Sequence, residues 1–303
     1  MYYKINDISI YYEKYGTGNK NIIILPGWGD TRKTFTYMIN FLKNYYTIYI
    51  IDYPGFGSSS FPNYNLTIYD YTNYIRKFIK YFNIKKPTII AHSFGGRIST
   101  LLSGYYKENI DKLIMIDIAP IKHKKNIFKY LKEKLYKLLK KVKYILPKKL
   151  KSKYTKKLLS IFASTDYKSI PINMQKTFQN IVNEDLTKYL KEINQETLII
   201  WGKLDKDTPL KDGYKINKLL KNSAIIIFPK AKHFSYLDYP VLTNKIIKEF
   251  LKWTLLWYYL FFFIILRSNY YLTMKMFINN IFIIFYITRY PYSKFMYFFF
   301  VWI

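Results

Sequence analysis

The sequence predicts an α/β fold: a mostly parallel, doubly wound sheet with a helical cap insertion and an atypical hydrophobic C-terminal tail. Short apolar segments alternate with stretches of helical periodicity, which is typical of parallel strands joined by helices. Runs such as Ile22-Ile23-Ile24-Leu25 and Leu198-Ile199-Ile200-Trp201 are continuously apolar, as expected of strands buried on both faces. The alternation pauses between residues 119 and 196 and stops after residue 252.

The predicted core comprises residues 1–118 and 197–252, and its elements follow in order. The predicted strands are Ile8–Tyr12, Asn21–Leu25, Thr47–Ile51, Thr88–Ala91, Lys112–Ile118, Thr197–Trp201 and Ala224–Phe228. The predicted helices lie near residues 32–43, 67–82, 94–106, 210–221 and 240–252.

Residues 119–196 are predicted to form a helical cap, or lid. One helical face is apolar and lysines occupy the other; the apolar residues are Ile127, Leu131, Leu135, Leu138 and Leu139. This segment is also strongly basic, with 16 lysines against the single acidic residue Glu133 in residues 121–157.

The aromatic tail, residues 253–303, has four basic residues, no acidic residue and no glycine. Its uncharged runs, Trp253–Leu266 and Met276–Thr288, are 14 and 13 residues long. Both are shorter than the roughly 20 residues that a straight transmembrane helix needs. Three interpretations stay open: a membrane-associated hairpin or interfacial anchor, a disordered extension, and an extension translated out of frame.

Composition limits the classes of function. The formal net charge of +30 would suit a polyanionic partner. However, the excess of Lys, Ile, Asn, Tyr and Phe is also what A/T-rich codons produce, and the lysines lack recognition motifs, so no nucleic-acid partner is expected. The chain has no cysteine, and its first residues lack an apolar signal core, so a cytoplasmic location is predicted, with membrane contact through the tail as the alternative.

Four motifs, each at a predicted strand end, carry the chemistry. They are Leu25-Pro26-Gly27-Trp28-Gly29, Asp52-Tyr53-Pro54-Gly55-Phe56-Gly57-Ser58, Ala91-His92-Ser93-Phe94-Gly95-Gly96, and the pair Trp201-Gly202-Lys203-Leu204-Asp205 and Lys232-His233-Phe234. In this order they resemble the α/β-hydrolase superfamily, and the resemblance covers residues 8–252. Ala91 stands where that family's nucleophile motif usually has glycine.

Ser93 is the predicted nucleophile, because a sharp strand-to-helix turn exposes a serine and small neighbours allow the turn to close. Of the three histidines, His92 adjoins the nucleophile and His123 lies in the lysine-rich insertion. His233 therefore is the predicted base, since it follows a strand at the edge of the sheet where ligands bind. Asp205 is the predicted acid, with Asp207 as the alternative, and Asp212 is interpreted as a helix-start residue.

The resemblance implies an oxyanion hole made of the backbone N–H groups of Trp28 and Phe94. It also implies a serine hydrolase that cleaves a small carboxylic ester or related acyl substrate. No cluster of His, Asp and Glu has the spacing of metal ligands, so neither a metal nor another cofactor is predicted. A carbon–carbon bond hydrolase and a membrane-associated lipase or accessory protein are the alternatives. Serine at position 93 argues against the relatives that use aspartate as nucleophile there.

Overall fold

Eight strands between Tyr2 and Phe228 form a mostly parallel sheet in this computed structural model. The structure describes residues 1–123, 139, 154, 170–252, 272–278, 281–287 and 298–301. Strands β1 to β8 are Tyr2–Ile5, Ile8–Tyr15, Asn21–Leu25, Thr47–Ile51, Thr88–His92, Lys112–Ile116, Glu196–Gly202 and Ser223–Phe228.

The strand order is β1-β2-β4-β3-β5-β6-β7-β8, and only β1 and β2 run antiparallel to their neighbours within these eight. The order reverses between β3 and β5, where Leu25 pairs with Ala91. The loops that follow these two strands therefore leave the same edge side by side, at the switch point where open α/β sheets bind ligands.

Helices flank the sheet and bury its apolar faces. Helices α1 to α8 are Thr36–Leu42, Ile68–Tyr81, Phe94–Thr100, Gln175–Asn183, Thr187–Leu190, Leu210–Leu219, Ser235–Asp238 and Pro240–Lys252. Helices α1 and α8 pack on one face of the sheet, where Ile24, Ile50 and Ile226 belong to a fully apolar cluster. Gly213 of α6 lies against Trp201 and Ile225, two residues outside that cluster.

The α/β architecture is confirmed, with differences at several element ends. Strand β1 is not among the predicted strands; it forms a hairpin with β2 through Asn6 at φ 51°. The strand predicted to reach Ile118 ends at Ile116, because Asp117 adopts φ 46°. The helix predicted over 94–106 is α-helical only to Thr100 and continues as a π turn, Leu101–Tyr105. Another predicted helix begins with a 3₁₀ turn, Arg32–Phe35.

The chain divides into two compact units, Met1–Ile121 with Glu184–Ile303, and Lys122–Asn183. The described part of the smaller unit contains the 3₁₀ turn Ile172–Met174 and α4. The predicted amphipathic face over residues 127–139 lies outside the described residues except for Leu139. The predicted cap boundaries, 119–196, are wider than this unit and stay a prediction.

Only the backbone of three strands is described in the tail: Leu272–Ile278 pairs antiparallel with β8, and Ile281–Ile287 and Phe298–Val301 follow it in the sheet. The uncharged run predicted at 253–266 lies outside the described residues. Among the helices that are described, none is long and apolar enough to cross a bilayer.

Candidate active site

Ser93 occupies the turn between β5 and α3. Its backbone has φ 47° and ψ −109°, a conformation that L-residues rarely adopt and that marks functional turns. The Ser93 N–H donates to Ile116 O at 3.1 Å, and the Gly96 N–H donates to Ser93 O at 3.0 Å. These bonds hold the strained turn at the edge of the sheet.

The turn closes because its neighbours are small. A Cβ on Gly95 would lie 2.1 Å from the backbone oxygen of Leu25, so a side chain there would collide with β3. Ala91, where the family usually has glycine, is fully buried within β5. The methyl group of Ala91 is accommodated, and the strand-to-helix turn at Ser93 forms without that glycine.

His233 joins two side chains that are far apart in the sequence. Its Nε2 lies 3.0 Å from Ser93 Oγ, and its Nδ1 lies 2.8 Å from Asp205 Oδ2. An ionised carboxylate only accepts hydrogen bonds, so Nδ1 carries the proton and Nε2 presents its lone pair to the serine hydroxyl. A hydroxyl, an imidazole and a carboxylate are therefore in line, an arrangement with the geometry that nucleophilic catalysis by a serine requires.

Asp205 is fixed by its own loop. Its Oδ1 accepts the backbone N–H groups of Asp207 at 2.8 Å and Thr208 at 2.9 Å, and the Thr208 hydroxyl donates to Oδ2 at 2.6 Å. Its side chain has no exposed surface. The carboxyl of Asp207, by contrast, is exposed, and Asp205 rather than Asp207 is bonded to His233 Nδ1.

The pKa shifts of this pair have opposite signs. Burial acts to raise the pKa of Asp205, but hydrogen bonds from His233 and Thr208 outweigh it and hold that pKa below its usual range. Burial acts to lower the pKa of His233, yet the hydrogen bond and the charge of Asp205 raise it above its ordinary value. At neutral pH Asp205 is therefore ionised and ready to stabilise an imidazolium.

The loop after β3 lies beside Ser93. A Cβ on Gly27 would be 3.5 Å from Ser93 Cβ, and Pro26 O accepts hydrogen bonds from the Gly95 N–H at 3.0 Å and the Tyr53 hydroxyl at 3.3 Å. The rings of Trp28 and Phe94 meet edge to face at 5.4 Å. Phe94 is the first residue of α3, so its N–H has no acceptor within the helix.

His92, which the sequence analysis set aside as a base, bonds to the backbone of the histidine loop. Its Nε2–H donates to His233 O at 2.8 Å, and its ring is almost fully buried. Burial lowers the pKa of His92 to about 3, so this ring stays neutral beside His233. No sequence pattern indicates this contact, since it involves a backbone atom 141 positions away.

Asp117 is a second buried carboxyl near the site that sequence reasoning missed. It has no exposed surface, and burial raises its pKa to about 7. A carboxyl directly after an apolar strand, at the edge of the sheet where the site lies, was the available signal.

Two further predictions concern His123 and metals. His123 is exposed, in the smaller unit. Within the described part of the chain, Asp205, Asp207 and His233 place one ligand atom each within 4.8 Å of one another. Because Asp205 and His233 Nδ1 already bond to each other, the chemistry of this set favours the orienting role, and the absence of a metal stays a prediction.

The comparisons with known proteins decide the family. A family model of the alpha/beta hydrolase fold matches residues 20–144. A pimeloyl-[acyl-carrier protein] methyl ester esterase from Wigglesworthia glossinidia brevipalpis is 32% identical over 258 residues, which cover 78% of this chain and 95% of that protein. This chain belongs to the α/β-hydrolase family. It is a hydrolase, and esterase chemistry is the activity that its named relatives support.

Two solved structures share the fold of this chain. An esterase from Exiguobacterium antarcticum has a TM-score of 0.64 at 23% identity and covers 81% of this chain and 96% of its own. A hydrolase from Pseudomonas aeruginosa has a TM-score of 0.65 at 16% identity and covers 83% and 97%. At these identities the likeness supports the α/β-hydrolase architecture and nothing finer.

Proposed function

We propose that this α/β-hydrolase is a serine carboxylic-ester hydrolase that uses Ser93, His233 and Asp205 as its triad. The observation that carries the proposal is the continuous chain of hydrogen bonds from Ser93 Oγ through both ring nitrogens of His233 to Asp205 Oδ2. A serine hydroxyl is a weak nucleophile at neutral pH, and this chain supplies the base that activates it.

The proposed reaction proceeds in two acyl transfers. His233 Nε2 takes the proton of Ser93 Oγ as the oxygen attacks the ester carbonyl carbon, and the imidazolium then gives that proton to the departing alcohol. Water next attacks the acyl-enzyme, with His233 again as base, and the acid leaves as Ser93 regains its proton. Asp205 stays ionised throughout and stabilises the imidazolium.

The N–H groups of Phe94 and Trp28 are the proposed donors to the oxyanion that forms in both steps. The N–H of Phe94, at the start of α3, and the adjacency of the Gly27 loop to Ser93 support this role. Losing one such donor typically costs about 2.7–4 kcal/mol of transition-state stabilisation. Residues 119–196 are the proposed helical cap.

The proposed substrate is a small carboxylic ester, with the methyl ester of a longer acyl chain as the first candidate. The relatives named as methyl ester esterases of an acyl-carrier protein conjugate support this choice. The test is hydrolysis of p-nitrophenyl esters and of monomethyl dicarboxylate esters, free and attached to acyl-carrier protein, by wild type and Ser93→Ala. Turnover by the wild type alone is expected; equal turnover by both would contradict the assignment of Ser93.

A further inference from the structure

Asp117 lies between the two loops that carry the acid and the base. Its Oδ1 accepts the N–H of Gly202 at 2.8 Å, and Gly202 is the last residue of β7, just before the loop of Asp205. Its Oδ2 accepts the N–H of Ser235 at 3.1 Å, two residues after His233. One buried carboxylate therefore contacts both loops, with one oxygen each.

The backbone of Asp117 extends the same set of contacts. Its N–H donates to Ile200 O at 3.0 Å, and its carbonyl oxygen lies 3.1 Å from the hydroxyl of Thr208, which bonds to Asp205 Oδ2. The positive φ of 46° turns the chain out of β6 at this residue. Such a conformation in a buried, non-glycine residue indicates that the surrounding structure holds it there.

We propose that Asp117 is a positioning residue, which ties the Asp205 loop to the His233 loop and thereby sets the hydrogen bond between the two side chains. The inference rests on the triad of the proposed function, and it adds a group that touches neither Ser93 nor the proposed oxyanion donors. A displacement of about 1 Å within a catalytic constellation costs roughly a hundredfold in rate, so a tie of this kind has a measurable effect.

Asp117→Asn is the direct test. Asparagine tolerates positive φ and has the same shape, but its amide offers one acceptor oxygen and a donor NH₂ group, so it serves only one of the two N–H groups. We expect kcat on a p-nitrophenyl ester to fall about tenfold to a hundredfold with KM nearly unchanged, because Asp117 does not touch substrate. The low-field proton resonance of His233 Nδ1–H should shift or broaden.

Asp212→Asn is the matched control, since Asp212 is another buried carboxyl and lies in the first turn of α6. It should leave kcat and the resonance unchanged. Asp117→Gly allows the positive φ and removes both acceptor oxygens, so its kcat and its His233 resonance test the inference if the asparagine variant does not fold. Counting active sites with a fluorophosphonate expresses kcat per folded molecule in every variant.

Wild-type kcat per labelled site together with an unmoved resonance in Asp117→Asn would overturn the inference, even if the variant were less stable. The proposed function fails in a different way. If wild-type protein is neither labelled nor active on esters, the proposed catalytic role of Ser93, His233 and Asp205 is wrong. The His233 resonance in Asp117→Asn still reports whether Asp117 positions that side chain.

Discussion

At the scale of single residues, the contact between Asp205 and His233 sets the tautomer of His233, the proposed base. Asp205→Asn should lower kcat by about 10⁴ with little change in KM, because an amide at this place no longer holds the proton on Nδ1. Steady-state kinetics on a p-nitrophenyl ester measure the effect. Asp207→Asn is the control, and its kcat should stay within about threefold of the wild-type value. A larger loss of kcat in Asp207→Asn than in Asp205→Asn would make Asp207 the acid.

The raised pKa of His233 predicts the pH dependence of the reaction. The base must be neutral, so kcat/KM should be lost as the pH falls through the pKa of His233, which lies above the ordinary value of 6.5. In Asp205→Asn, burial is no longer opposed by that carboxylate, and the inflection should move to lower pH. A wild-type inflection below 6.5, or one that rises in the variant, contradicts this assignment.

The proximity of residues that belong to local motifs could be predicted from the sequence, whereas contacts between a side chain and a distant backbone atom could not. Ser93, Asp205 and His233 each follow a strand in a short, recognisable pattern, and the structure brings the three together. His92 and Asp117 make their contacts with backbone atoms 141 and 118 positions away. Every residue type offers the same backbone groups, so the sequence does not indicate which backbone atom a side chain contacts. These two contacts could be identified only from the structure.

At the scale of elements, the turn at Ser93 depends on how closely β3 and α3 approach each other. Gly95→Ala should lower the free energy of unfolding by about 1–3 kcal/mol or more and reduce activity, because its methyl group meets a backbone oxygen that has no room to move. Denaturant unfolding and ester turnover measure both effects.

Ala91→Gly is the contrasting substitution in the same motif. It restores the glycine that the family usually has, at a cost of roughly 0.5–1 kcal/mol for glycine in a strand, and should keep its activity. Equal losses of stability and activity in Gly95→Ala and Ala91→Gly would show that the space around the turn at Ser93 does not determine either property.

Element types followed from periodicity, while their ends depended on local backbone conformation. The continuous apolar runs predicted the buried strands, since only a parallel sheet covered on both faces hides such residues. Strand β1 has only four residues, of which Ile5 alone is buried, and it is too short for a periodic signal. The π turn after Thr100 depends on packing that residue types do not encode.

At the scale of the whole molecule, every proposed catalytic residue lies before residue 253. A chain ending at Lys252 should therefore keep its kcat/KM for a soluble ester within a few-fold of the full chain. If the tail is an interfacial anchor, the full chain should sediment with membranes and the shortened chain should not. Equal distribution of the two chains between fractions rejects the anchor, and loss of folding in the shortened chain makes the tail part of the core.

The central claim, that Ser93 is a nucleophile activated by His233, is tested most directly by covalent labelling. Wild-type protein should react with a fluorophosphonate at one site, the modified peptide should contain Ser93, and ester turnover should disappear in step with labelling. Ser93→Ala should remain folded and unlabelled. A folded wild-type protein that neither reacts nor turns over any ester, or a label on another residue, would contradict the claim.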